Sequence, residues 1–326
     1  MNLPERIRIA NLPTRIERLE SLSSSYGKNI YIKRDDQTGI EFSGNKVRKL
    51  EFALKEALDQ KCDYLITCGG IQSNHARATA AVAARFGLST VLVLRGGDRE
   101  VLEGNYFLGK LLGADIRLIS PEDYKNSRME IMESIKEELG AKGHKAYILP
   151  EGASNAIGSF GYANTMMEIG DQEKELDIKF DAVVVTVGSG GSYTGLLYGN
   201  RLRGNPSKIY GINICDDREF FTERAREIGR ELNSYTGLDI NLEGDINILD
   251  GYVGLGYALS RQEEIDFIRD FARAEGIVLD PVYTGKAMYG FTRELAKGSF
   301  DEAENILFIH TGGIFGWTKK AMSMLD

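Results

Sequence analysis

Three cations stand within four positions in the run Ser43-Gly44-Asn45-Lys46-Val47-Arg48-Lys49-Leu50-Glu51. From Leu50 the apolar residues recur at Leu50, Ala53, Leu54, Ala57 and Leu58, the spacing of one buried helix face. Ser43-Gly44-Asn45 reads as the turn and cap ahead of that helix, so Lys46, Arg48 and Lys49 fall in or beside its first turn. The helix dipole is positive there and disfavours each exposed cation by about 0.3–1 kcal/mol. Two kinds of chemistry would reverse that preference. A bound anion would stabilise the cations. A lysine held neutral by neighbouring positive charge would be a nucleophile for a carbonyl carbon. A lone lysine at a helix start is ordinarily a solvated surface residue; the two further cations and the Gly-Asn turn make Lys46 a candidate nucleophile.

Three further segments could do chemistry. Val183-Val184-Val185-Thr186-Val187 runs into Gly188-Ser189-Gly190-Gly191-Ser192-Tyr193-Thr194-Gly195, a buried strand followed by a glycine-rich turn and a helix. Successive backbone N–H groups and the helix dipole would make a phosphate site there. The run is neither a P-loop nor a dinucleotide fingerprint of the usual spacing. Cys68-Gly69-Gly70-Ile71-Gln72-Ser73-Asn74-His75-Ala76-Arg77 repeats the strand-turn-helix pattern. Ser73 or Asn74 would cap the helix, and the same geometry presents hydroxyl, amide and N–H groups to a carboxylate. His75, taken singly, reads as a structural hydrogen-bonder. Leu279-Asp280-Pro281-Val282-Tyr283-Thr284-Gly285-Lys286 and Ile309-His310-Thr311-Gly312-Gly313 complete the set. A tyrosine such as Tyr283 is usually half-buried packing, while the open end of a parallel sheet is where ligands bind in strand-helix folds.

The elements that must position these residues alternate along the chain. Strands are expected at 29–32, 64–67, 90–94, 115–118, 146–149, 182–187, 209–212 and 306–309. Helices are expected from 46 and at 74–86, 103–112, 127–139, 222–232 and 263–274. That alternation implies an α/β fold with a largely parallel sheet covered on both faces. The glycine- and serine-rich stretch 151–159 reads as a crossing between domains, and 233–250 as an irregular excursion.

Bulk properties narrow the class. The chain has 326 residues, 42% hydrophobic and 27% charged, which fits a globular protein of about two domains. A net charge of −8 argues against nucleic acid as the main partner. No apolar run approaches the ~18 residues of a membrane span, and Met1-Asn2-Leu3-Pro4-Glu5-Arg6 lacks the apolar segment of a secretory signal. Cys62, Cys68 and Cys215 have no metal-type spacing and fit free thiols in a reducing cytoplasm. With three histidines, a histidine-rich metal site is not expected.

Over nearly its whole length the chain resembles the pyridoxal-phosphate enzymes of fold type II, the tryptophan-synthase-β-like group. Within that group it is most similar to the family of D-cysteine desulfhydrase and 1-aminocyclopropane-1-carboxylate deaminase. The resemblance rests on Gly44–Glu51, Gly70–His75, the Gly188–Gly195 loop and Asp280–Lys286. It implies two domains, each with a largely parallel sheet flanked by helices: residues 1–46 plus 161–326, and an inserted 47–160. It implies pyridoxal 5'-phosphate as cofactor, bonded through Lys46. Its phosphate would be held by Lys49 and the backbone of Ser189, Gly190, Gly191, Ser192 and Tyr193. Asn74 would meet the phenolic oxygen and Thr311 the pyridine nitrogen. Ser73 would grip the substrate carboxylate, with Asn74, His75, Tyr257, Tyr283 and Thr284 about the substrate. A homodimer is implied as well.

The implied reaction is α,β-elimination on a small amino acid, with Lys46, Tyr283 and Ser73 as the catalytic set. D-cysteine would give hydrogen sulfide, pyruvate and ammonia. His75 and Thr284 match the desulfhydrase pattern, where the deaminase pattern has Gln and Glu. L-cysteate, D-serine, chloroalanine and aminocyclopropane carboxylate are the alternative substrates, and Arg77 or Arg95 would favour the sulfonate of cysteate if either reached the pocket. A phosphometabolite-binding protein without turnover is the non-enzymatic alternative. Ser43 stands where the family often has Gly. Arg48 receives no task and reads as surface.

Overall fold

A computed structural model describes residues 3–97, 101–204 and 207–325; Met1 and Asn2, which open the N-terminal run, lie outside them. In chain order the strands are β1 (Ile16–Arg18), β2 (Asn29–Lys33), β3 (Tyr64–Gly70), β4 (Ser89–Arg95), β5 (Asp115–Ile119), β6 (Ala146–Leu149), β7 (Ala182–Val187), β8 (Lys208–Asn213), β9 (Asn247–Leu249) and β10 (Asn305–Ile309). The helices are α1 (Glu20–Tyr26), α2 (Asn45–Asp59), α3 (Asn74–Arg85), α4 (Gly104–Leu111), α5 (Pro121–Ala141), α6 (Ala156–Leu176), α7 (Gly191–Arg203), α8 (Arg218–Thr236), α9 (Gln262–Glu275), α10 (Thr284–Ala296) and α11 (Lys319–Met322).

The strands form two sheets. One runs β1-β2-β10-β7-β8-β9, the other β5-β4-β3-β6. Every pairing is parallel except β1 with β2. β7 is valine-rich and buried at every position, as a parallel strand covered on both faces requires. Separate apolar clusters cover the two faces of each sheet. Local sequence sets most helix starts. Ser73, Ser120, Asn155 and Asp217 each accept a backbone N–H of the first turn, and Pro121 opens α5. By contrast α2, α7 and α10 begin at Gly44, Gly190 and Tyr283 with no side-chain cap.

The main departure from the sequence reading is α6. The stretch 151–159, read as a crossing, leads out of β6 and holds the start of that helix. Residues Glu151–Ala153 make one 3-10 turn and a 21-residue helix follows. Its glycines answer to close packing. A Cβ at Gly161 would lie 2.5 Å from the Arg48 carbonyl oxygen on α2. On the facing helix, a Cβ at Gly195 would lie 2.3 Å from the Ser159 carbonyl oxygen. The supposed irregular excursion at 233–250 also contains structure. Helix α8 runs to Thr236 and ends on left-handed Gly237, and after a 3-10 turn β9 pairs with β8. Strands of three residues carry too little periodicity to stand out.

Candidate active site

The ends of β3, β7 and β10 lead to one cavity, which the N-termini of α2, α3 and α7 also reach. Asn45 and Lys46 line it from α2, and Ser73, Asn74 and His75 from the turn after β3. Thr186, Gly188, Ser189, Gly190, Ser192 and Tyr193 come from β7 and its loop, and Thr311 and Gly312 from the end of β10. Tyr257 and Tyr283 form a further wall, and Glu151 and Gly152 complete the lining.

Lys46 owes its place to the turn before it. Gly44 has φ 102°, and its Cα lies where an added Cβ would meet the Thr311 carbonyl oxygen at 2.7 Å. That carbonyl accepts the Asn45 N–H at 3.0 Å, so the start of α2 is fastened to the end of β10. The Lys46 ammonium makes no hydrogen bond among the described residues. Burial pushes its pKa down to about 8, against an opposing pull from Glu151.

Beside it lies a pocket shaped for an anion. Lys49 is fully buried, and its ammonium donates to Ser154 Oγ at 2.9 Å with no carboxylate partner. Burial, then Lys46 and Arg224, hold it well below the usual lysine range. Ser154 Oγ lies 2.7 Å from Ser189 Oγ, Asn45 Nδ2 donates to Ser192 Oγ at 3.0 Å, and Arg224 donates to the Ser154 carbonyl oxygen at 2.6 Å. A Cβ at Gly191 would lie 2.5 Å from Lys49 Nζ, so only glycine leaves the ammonium room. Gly190, at φ 84°, turns the chain into the uncapped N-terminus of α7. A buried cation with a single hydroxyl partner is costly unless an anion joins it.

On the opposite wall Ser73 accepts the Ala76 N–H as the cap of α3. Asn74 Oδ1 accepts from Asn105 Nδ2 at 2.8 Å, leaving its amide nitrogen free to donate. His75 Nε2 lies 2.8 Å from Thr67 Oγ1. Burial, then Lys46 and Lys49, hold this imidazole well below its ordinary pKa, so it is neutral at physiological pH. The Tyr257 and Tyr283 hydroxyls are 2.5 Å apart. Burial pushes Tyr283 well up and Tyr257 up to about 12, so neither ionises near neutrality. One buried polar atom of a lining residue, Thr186 Oγ1, has no hydrogen-bond partner among the described residues.

Two expectations are corrected and one open condition is answered. Thr284 does not line the cavity: its hydroxyl and N–H both donate to Asp280 Oδ1 at 2.7 Å, which consumes them in the turn that carries Tyr283. Arg48 is not surface but 1% exposed, donating to Asp35 and Glu168. Arg77 is buried away from the cavity, donating to Asn105 Oδ1 and to the carbonyl oxygens of Glu41 and Ser43. Ser154, Arg224, Glu151 and Thr186 had no sequence signal of their own; Ser154 and Glu151 sat in the stretch read as a crossing.

A family model described as "Pyridoxal-phosphate dependent enzyme" matches residues 7–312. The chain belongs to that family. A Thermotoga maritima protein provisionally named 1-aminocyclopropane-1-carboxylate deaminase is 45% identical over 95% of this chain and 97% of its own. An Arabidopsis thaliana protein named "Bifunctional D-cysteine desulfhydrase/1-aminocyclopropane-1-carboxylate deaminase, mitochondrial" is 40% identical over 97% of this chain and 80% of its own. A solved structure described as an ACC deaminase homologue superposes with a TM-score of 0.91 at 38% identity, covering 99% of this chain and 97% of that one. The cofactor is therefore pyridoxal 5'-phosphate, and the cavity fits it. The buried, carboxylate-free Lys49 and the glycine cradle suit its phosphate, and Lys46 suits its aldehyde.

Proposed function

We propose that this enzyme catalyses α,β-elimination from a small amino acid, with D-cysteine as the substrate and hydrogen sulfide, pyruvate and ammonia as products. The observation that carries this reading is Lys46, whose ammonium has no hydrogen-bond partner among the described residues and a lowered pKa in the same cavity as Ser73 and the Tyr257–Tyr283 pair. Lys49, Ser189, Gly190, Gly191, Ser192 and Tyr193 would hold the cofactor phosphate. Asn74 would donate to the phenolic oxygen, and Thr311 would face the pyridine nitrogen. When bound, the cofactor supplies an electron sink for the α-carbanion. Ser73 and the start of α3 would orient the substrate carboxylate. Lys46 Nζ would accept the α-proton. Tyr283, still protonated at neutral pH and hydrogen-bonded to Tyr257, can donate a proton toward the departing sulfur. His75 would lie beside the substrate, and Thr284 would serve by fixing Tyr283.

Replacing Lys46 by alanine should remove the visible band of the bound cofactor and lower pyruvate release by about 10²–10⁴-fold; retention of both overturns the assignment. A second reading, opening of aminocyclopropane carboxylate, is favoured by the names of the Thermotoga and Arabidopsis relatives. Keto-acid release measured side by side on D-cysteine, L-cysteine, D-serine and aminocyclopropane carboxylate decides between them.

We also infer the division into 1–46 plus 161–326 and 47–160, since the four-stranded sheet lies wholly within 64–149 and the other sheet on both sides of it. A homodimer is the proposed state, supported by the exposed apolar side chains Leu102, Leu255, Leu259 and Ile314, and the cytoplasm the proposed compartment, supported by the free thiols of Cys62, Cys68 and Cys215. A monomer by light scattering would overturn the dimer. No helix among the described residues is long and apolar enough to cross a membrane.

A further inference from the structure

We propose that Glu151 is a charge filter in this cavity, admitting amino acids whose β-substituent is neutral and turning away those with a second negative charge there, such as a sulfonate or carboxylate. The proposal rests on the elimination reading above and names its substrate class.

Glu151 opens the 3-10 turn after β6 and lines the cavity beside Gly152. The turn is locked in place: a Cβ at Gly152 would lie 2.6 Å from Ser189 Oγ. The Glu151 side chain is exposed; it meets the neutral Tyr124 hydroxyl and forms no ion pair among the described residues. Its field reaches groups from three other elements, opposing loss of the proton from Lys46 and adding to the upward shifts of Tyr257 and Tyr283. Those are the groups about the reacting end of the substrate.

Among the described residues that line the cavity, Lys46 is the one lysine or arginine and Glu151 the one acid. Lys46 is committed to the cofactor and Lys49 faces the serine-lined pocket. Arg77 is spent on Asn105 and two carbonyl oxygens. Arg95 is not on the cavity wall; its guanidinium lies against the rings of Tyr124 and Tyr257, 5.5 and 5.4 Å from their centroids. A sulfonate or second carboxylate would therefore meet a carboxylate on the wall itself, with the Arg95 guanidinium held behind the Tyr257 ring. At a separation of several ångströms and partial solvent exposure, one unit charge is worth about a tenfold change in affinity.

The test uses two propanoates that lack the amine and so cannot react, 3-hydroxypropanoate and 3-sulfopropanoate, titrated calorimetrically into the holoenzyme. The wild type should bind the hydroxyl compound better by about tenfold or more, and Glu151→Gln should shrink that ratio by about tenfold. Raising the salt should narrow the wild-type ratio and leave the Gln variant's ratio little changed. The ratio of kcat/KM for D-cysteine over cysteate should fall in parallel. An unchanged binding ratio in Glu151→Gln, or one that widens, overturns the filter. The binding ratio is read whether or not the protein turns anything over, so failure of the elimination reading shows separately, as absent keto acid from every amino acid.

Discussion

At the scale of single residues the site turns on where protons sit. Lys46 must be neutral to bond an aldehyde, and burial brings its pKa down to about 8. The rate at which cofactor-free protein captures pyridoxal 5'-phosphate should therefore rise with pH and level off above about pH 8, read by stopped-flow absorbance. A plateau delayed to the ordinary lysine range near 10.5 would show the amine to be solvated. His75 adds no acid limb near pH 6, because burial and the two lysines keep it neutral there. Lys46 was legible in the sequence because its cost was local: cations in a first helix turn break a rule that can be seen in a few residues. Arg48 was not, because its partners Asp35 and Glu168 lie 13 and 120 positions away. Glu151 was missed for a similar reason, since an exposed acid carries no pattern until a cavity forms beside it.

At the scale of elements, two contacts place the catalytic groups. Lys286, one turn into α10, donates to the carbonyl oxygens of Val253 and Gly256 at 2.7 and 2.8 Å. It thereby holds the loop that brings Tyr257 onto Tyr283, at the head of the same helix. Lys286→Met should loosen that pairing, raising KM several-fold and lowering kcat, with arginine restoring part of the loss and the thermal midpoint moving little. Equal loss in the Met and Arg variants would argue against a positioning role. The second contact is the close crossing of α6 with α2. Gly161→Ala forces a Cβ against the Arg48 carbonyl and should cost about 1–3 kcal/mol of stability, measured by urea unfolding; a neutral effect would mean that the helices part freely. The strand-helix alternation and the glycine turns of the cavity were readable because few residue types satisfy them. Helix α6 was not, because glycine and serine mark both a linker and a close helix contact, and only the facing backbone tells them apart.

At the scale of the whole molecule, Arg48 joins segments distant in the chain. Asp35 Oδ1 accepts from Arg48 and from Thr14 Oγ1, and Asp35 Oδ2 accepts from Arg48 and the Tyr162 hydroxyl. Glu168 accepts from Arg48 and Lys33. Arg48→Met would strand the buried Asp35 carboxylate, a change that costs about 3–5 kcal/mol and is checked by chemical denaturation. Glu168 adds a pH signature. Its hydrogen bonds and attraction to Arg48, then Lys33, outweigh burial and depress its pKa to about 2 from the ordinary 4.5. Its contribution is therefore complete above about pH 4.5 and is lost as the pH falls toward 2. Glu168→Gln should flatten that limb of the stability profile; an unchanged slope would assign acid unfolding elsewhere.

Lys49 has a consequence outside catalysis. Burying this amine with one hydroxyl for company costs stability, as an unpaired charge or as a lost proton, until a phosphate arrives, so binding and folding are linked. Inorganic phosphate alone should raise the melting temperature of cofactor-free protein, and Lys49→Met should abolish the effect. The folded chain should therefore be more resistant to protease with the cofactor bound than without it.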